Sequence, residues 1–183
     1  MSNPDATNPI ASDPQLADKD IWIGSNYRKG GILIIGDSSY VDPAVQYIPR
    51  WIAKNEKDQT FSRLFNAFNA EQAHTESATI EQREAFWNSV AFYNFVQEVI
   101  PSRDDRPSQA MFRAAKAPLE TVLKALQPGG VMIVGYEQRE HSEPIVTQLG
   151  IPCVVVEHPT AYGVPTAAMT ARWQELATKM KTA

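Results

Sequence analysis

The sequence predicts an α/β fold: one domain built on a short, mainly parallel sheet of four strands. Three observations predict it. Aliphatic runs at 32–35, 131–134 and 153–156 have no polar face, which suits parallel strands buried on both sides. A fourth segment alternates Val90, Phe92, Asn94 and Val96 as a strand does, and the stretches between strands carry helical periodicity, as crossover connections require. The 183 residues, 43% hydrophobic and 21% charged, match a single globular domain rather than a disordered or disulfide-stapled chain.

Taken in order, residues 1–20 carry Asp5, Asp13, Asp18, Asp20 and one Lys19 among breakers, with no apolar core of a signal peptide. Residues 1–25 are therefore expected to form a flexible acidic tail and residues 26–183 the domain. The first strand, 31–35, ends in Gly36-Asp37-Ser38-Ser39-Tyr40, expected as a loop at a carboxyl end. Phe61, Leu64, Phe65 and Phe68 fall on one face of a short amphipathic helix. Thr79 and Gln82 form a capping box that opens a helix through Ser89, after which the alternating strand begins. Residues 101–108 are turn formers and charges, hence a loop. A helix over 108–126, kinked at Pro118, groups Leu119, Val122, Leu123 and Leu126 before Pro128-Gly129-Gly130 stops it. Strand 131–134, a weaker helix over 137–149 interrupted by Pro144, and strand 152–156 follow, the last ending in Glu157-His158-Pro159-Thr160. Pro165 opens the final helix, whose Met169, Trp173, Leu176 and Met180 form a core stripe.

Composition narrows the function. The longest aliphatic runs are four residues, where a spanning helix needs about 20, so no membrane span is expected. The N-terminal stretch supplies three of the net four negative charges, which leaves the rest nearly neutral and disfavours a general polycation for nucleic acid. The single Cys153 excludes internal disulfides and four-cysteine metal sites, and fits a reducing cytoplasm. His74 and His141 have no companion ligand at metal spacing and read as surface residues, so no metal and no cofactor are expected.

Polar clusters at 37–40, at Asn94 and at His158 follow or close three predicted strands, and ligands in open α/β sheets bind outside strand carboxyl ends. A carboxylate, an amide and an imidazole brought together there suit a planar polar ring that gains charge. Gly36-Asp37-Ser38-Ser39-Tyr40, Tyr93-Asn94-Phe95-Val96, Arg106-Pro107 and His158-Pro159-Thr160 stand in the order and spacing of motifs of the uracil-DNA glycosylase superfamily, which the chain resembles over about residues 31–165.

The resemblance implies a three-layer α/β/α sandwich and a DNA glycosylase that flips a deaminated base, uracil or a relative, out of single- or double-stranded DNA and cleaves its N-glycosidic bond. It implies that Asn94 reads the base edge, since a carboxamide offers one acceptor and two donors to the N3–H and O4 of uracil. His158 would donate toward O2 as the base departs as an anion. Asp37 would orient water or stabilise the sugar cation, although the best-known motif carries its aspartate one residue later, where this chain has Ser38, and then a proline, where it has Ser39. Tyr40 would wall the pocket near C5, Phe61 would stack on the base, and Tyr162 would wedge into the vacated stack. Arg106 and Thr160, with Arg103, Arg113 and Lys116, would meet phosphates. Plain structural roles stay open beside these: a buried strand amide for Asn94, a turn cap for Asp37, core packing for Phe61.

Two other readings remain. The same pocket can bind a base without cleaving it, as Ser38 and Ser39 in the first motif invite. "ILIIGDSS" also resembles the first block of GDSL-type esterases, with Ser38 as nucleophile and His158 as base beside Glu157, but that family's later Gly-x-Asn-Asp and Asp-x-x-His blocks are missing.

Overall fold

A computed structural model describes residues 8–40, 44–54, 59–69, 79–102, 105–161 and 165–183. Strands β1 (Ile21–Ile23), β2 (Ile32–Tyr40), β3 (Val90–Ile100), β4 (Gly130–Val134) and β5 (Cys153–Val156) form one mixed sheet in the order β1-β3-β2-β4-β5. β3, β2, β4 and β5 run parallel, whereas β1 lies antiparallel on the outer edge of β3. The four expected strands are all present. The sheet nevertheless has five strands and is mixed, because the fifth comes from the stretch expected to be tail.

That stretch is tied down by specific bonds. Asn8 Nδ2 donates to the carbonyls of Gly24 and Tyr27 at 2.8 and 2.9 Å, and the Asp20 N–H donates to Gln97 Oε1 at 2.7 Å. Leu16 is buried in the core and the Trp22 indole donates to the Trp87 carbonyl. The expectation of a tail to residue 25 is thus corrected from Asn8 onward, while residues 1–7 lie outside the described residues.

Helices α1 (Ala44–Lys54), α2 (Gln59–Phe68), α3 (Ile80–Ser89) and α7 (Thr166–Thr182) cover one face, and α4 (Gln109–Ala114), α5 (Lys116–Leu126) and α6 (Arg139–Gln148) the other. Strand alternation feeds both: Leu33 and Ile35 join an aliphatic core under α5 and α6, while Ile34 joins an aromatic core of Trp51, Phe61, Phe65, Phe86, Trp87 and Phe92. The Thr79 capping box forms with both reciprocal bonds. The long helix expected over 108–126 is two helices that meet at Ala115, so Pro118 falls in the first turn of α5, where its missing N–H is not needed. Pro144 lies inside an unbroken α6, and α1, not foreseen, forms around Pro49 because Ile48, Trp51 and Ile52 share its buried side.

One consequence positions the site. The β2-to-β3 crossover leaves toward one edge over the aromatic face, and the β4-to-β5 crossover, through α6, leaves toward the other edge over the aliphatic face. Connections therefore diverge at the β2–β4 boundary, the place where α/β sheets open a crevice.

Candidate functional site

The segment expected as a loop, Gly36 to Tyr40, is instead the carboxyl half of β2. Gly36 pairs with Asn94 and Ser38 with Val96, and the register shifts before Tyr40 meets Ile100. Gly, Asp and Ser are poor strand formers, so pairing with β3 rather than local propensity holds this stretch extended. Asn94, only 5% exposed, reaches across to β2, where its Nδ2 donates to Ser39 Oγ at 2.6 Å. A Cβ on Gly36 would collide with Asn94 Oδ1 and stand 2.8 Å from Phe92 Cζ, so the glycine is what admits the carboxamide.

Asp37 follows, with its Oδ1 buried and without a hydrogen-bond partner. Burial first, and then the negative charge of Glu137, push its carboxyl up to about 6, against the pull of Arg106. Arg106 bridges two elements: Nη1 donates to the Tyr40 hydroxyl at 3.5 Å, and Nε lies 3.7 Å from the Glu137 carboxylate. Beside them Gln138, fully buried at the start of α6, donates from Nε2 to the carbonyls of Val134 at 2.8 Å and Ile35 at 3.2 Å. It clips the end of β4 to the middle of β2, and its Oε1 has no hydrogen-bond partner.

His158 comes from the end of β5. Its Nδ1 accepts the Thr160 N–H at 3.3 Å and lies 2.8 Å from Thr160 Oγ1. A backbone amide can only donate, so this contact suits the tautomer with its proton on Nε2. The ring lies beside Gly135 at the end of β4, with Cδ2 4.0 Å from where a Cβ there would be. Arg63 of α2 holds the same loop by donating to the Pro159 carbonyl. Asn94 thus reaches over β2 from one side and His158 reaches the end of β4 from the other; neighbouring strands lie about 4.8 Å apart.

The structure therefore brings Asp37, Tyr40 and Arg106 together, sets Asn94 on Ser39, and makes Thr160, expected at phosphate, the partner of His158. Phe61 is 9% exposed in the aromatic core, with Tyr47 stacked on it at 5.3 Å and Trp87 edge-on at 5.1 Å. Its stacking partner is Tyr47, the packing role that its helical spacing left open. Tyr162 and Arg103 lie outside the described residues. Ser38 Oγ is buried without a hydrogen-bond partner, so no base is bonded to it.

Glu137, Gln138 and Arg63 had not been singled out. The first two follow strand β4 as His158 follows β5, and that placement was the available signal. Arg63 carried none, sitting in an aromatic-rich helix.

A separate cleft of about 180 Å³ lies at the β5 edge, bordered by Arg139, Glu143, Cys153, Arg172, Glu175 and Lys179. Its charges satisfy one another, with Arg139–Glu143 at 2.7 Å, Arg172–Glu175 at 2.6 Å and Lys179–Glu175 at 2.9 Å. The β2–β4 boundary, by contrast, holds buried oxygens without hydrogen-bond partners on Asp37, Ser38 and Gln138. Among the described residues no cluster of three or more His, Cys, Asp or Glu is placed to hold a metal, and no helix is long and apolar enough to cross a membrane. No protein-family model matches the chain, and no curated protein matches it.

Proposed function

We propose that the chain is a hydrolase of the uracil-DNA glycosylase type, which receives an extruded base at the β2–β4 boundary and breaks its N-glycosidic bond. The observation that carries this reading is the approach of two groups to one boundary: a buried carboxamide seated over Gly36, and an imidazole held at Nδ1 by Thr160. Helices on both faces of the four parallel strands support the sandwich that the motif resemblance implies.

In this mechanism Asn94 recognises a lactam edge, Nε2–H of His158 donates to the oxygen on which negative charge grows, and ionised Asp37 takes a proton from water. The C1′–N bond breaks with its electron pair on the base, and the water oxygen bonds C1′. Uracil, hypoxanthine and xanthine all present a lactam edge. The substrate is DNA, with Arg106 and Thr160 at the rim, and catalysis uses no metal or cofactor.

The test is incubation with single- and double-stranded oligonucleotides containing uracil, hypoxanthine or xanthine, followed by alkaline cleavage. Abasic product from the wild type, reduced about 100-fold or more in Asn94→Ala and His158→Ala, supports the reading; no product from any lesion rejects it. A second reading, base binding without cleavage, draws on the Asn94–Ser39 bond, which organises the first motif for holding an amide. Binding of a lesion oligonucleotide without abasic product favours it. The unpartnered Ser38 hydroxyl weighs against the esterase.

A further inference from the structure

We infer that Glu137, which no motif of the chain singles out, is a positioning residue of the proposed site, forming with Arg106 and Tyr40 a charged frame against which Asp37 takes and releases the proton of the attacking water. The inference rests on the hydrolase reading above. Its geometry joins three elements. Asp37 and Tyr40 lie on β2, Glu137 sits in the turn from β4 into α6, and Arg106 comes from the segment before α4. Arg106 is the keystone, 3.7 Å from the Glu137 carboxylate and 3.5 Å from the Tyr40 hydroxyl. Gln138 fixes the turn that carries Glu137, since its amide grips the carbonyls of Val134 at the end of β4 and of Ile35 in the middle of β2. The backbone that carries Glu137 is thereby tied to both strands.

The charged groups that act on Asp37 are Glu137 from the α6 side and Arg106 from the α4 side, and the Tyr40 phenol on its own strand meets Arg106. Their effects on a buried carboxyl have opposite signs. Glu137 makes the proton harder to lose and so makes the carboxylate a stronger base; Arg106 does the reverse. Asp37 Oδ1 accepts no hydrogen bond, so these charges act on it without competition from a local donor. In the reaction the water oxygen bonds C1′ as the C1′–N pair leaves with the base. The water proton passes to Asp37 and then to solvent, and the departing base anion takes a proton from solvent.

The experiment measures cleavage of a uracil oligonucleotide against pH for the full chain and for Glu137→Gln and Arg106→Gln, with a ¹³C carboxyl titration of Asp37 in the same three proteins. The Glu137 and Arg106 side chains are 58% and 59% exposed, so neither substitution opens the core. The wild-type rate should rise through pH about 6. Its midpoint should fall by roughly 0.5 to 1 pH unit in Glu137→Gln and rise by about as much in Arg106→Gln. Midpoints that stay in place, or that move the same way in both variants, overturn the inference. Opposite shifts in the carboxyl titration with no abasic product overturn the hydrolase reading instead, and leave Glu137 and Arg106 as the frame of a binding site.

Discussion

Asp37 is held by the fold in a state that costs stability once it ionises. Its folded value of about 6 lies above the ordinary 3.8, so between those values the native chain binds more proton than the unfolded one. The stabilising contribution of protonated Asp37 is full below pH about 4 and is lost as pH rises through about 6. It amounts to roughly 2–3 kcal/mol. Asp37→Asn should therefore stabilise the protein at pH 8 relative to wild type and change it little at pH 4, as read from urea unfolding at the two pH values; equal effects at both would refute the assignment. Gly36 makes the complementary case. Gly36→Ala drives a methyl into the Asn94 amide, so base binding should drop at least about 10-fold while the fold persists with a loss of about 1–3 kcal/mol; fluorescence titration and thermal melting check the two halves. At this scale the place of His158 was legible, because a polar residue just past an aliphatic strand stands out, whereas the pairing of Asp37 and Tyr40 into β2 and the contact of Arg106 with Tyr40 were not. Glu137 and Gln138 were not, because they also read as the first residues of a weak helix.

The four parallel strands were visible because burial on both faces demands uninterrupted apolar runs, and α3 because its capping box is a local signal. β1 was hidden by its three residues, flanked by Asp20 and Gly24 within an acidic stretch. What holds it is bonding to distant partners, above all the Asn8 amide with its two carbonyls. Asn8→Ala removes both bonds, leaving the Gly24 carbonyl with the Tyr27 N–H and the Tyr27 carbonyl with Arg28, and should cost about 1–2 kcal/mol, measured by thermal or urea denaturation; a neutral result would return this segment to the status of a tail. The carboxyl half of β2 was hidden for another reason, since Gly36-Asp37-Ser38-Ser39 reads locally as a turn and only the β3 ladder overrides it. α1 was masked by Pro49, tolerated because three buried side chains repay the lost backbone bond.

For the molecule as a whole, the sheet separates an aliphatic core from an aromatic one and has two edges of different kinds. The β5 edge is four residues long and is guarded by Lys179, whose Nζ donates to the Cys153 carbonyl at 3.0 Å. The other edge would be eleven-residue β3 if β1 did not cover part of it. A chain lacking residues 1–25 should melt at lower temperature and self-associate, seen as a concentration-dependent rise in light scattering; a monomer of unchanged melting temperature would contradict this. The covering strand also fixes an order of events during synthesis. Ile21 waits for Tyr93, and Gly36 for Asn94, which at about 5–20 residues per second is a delay of several seconds. The amide over Gly36 can thus be seated by the first half of the nascent chain, and Glu137 and His158 are added to it only when the second half leaves the ribosome.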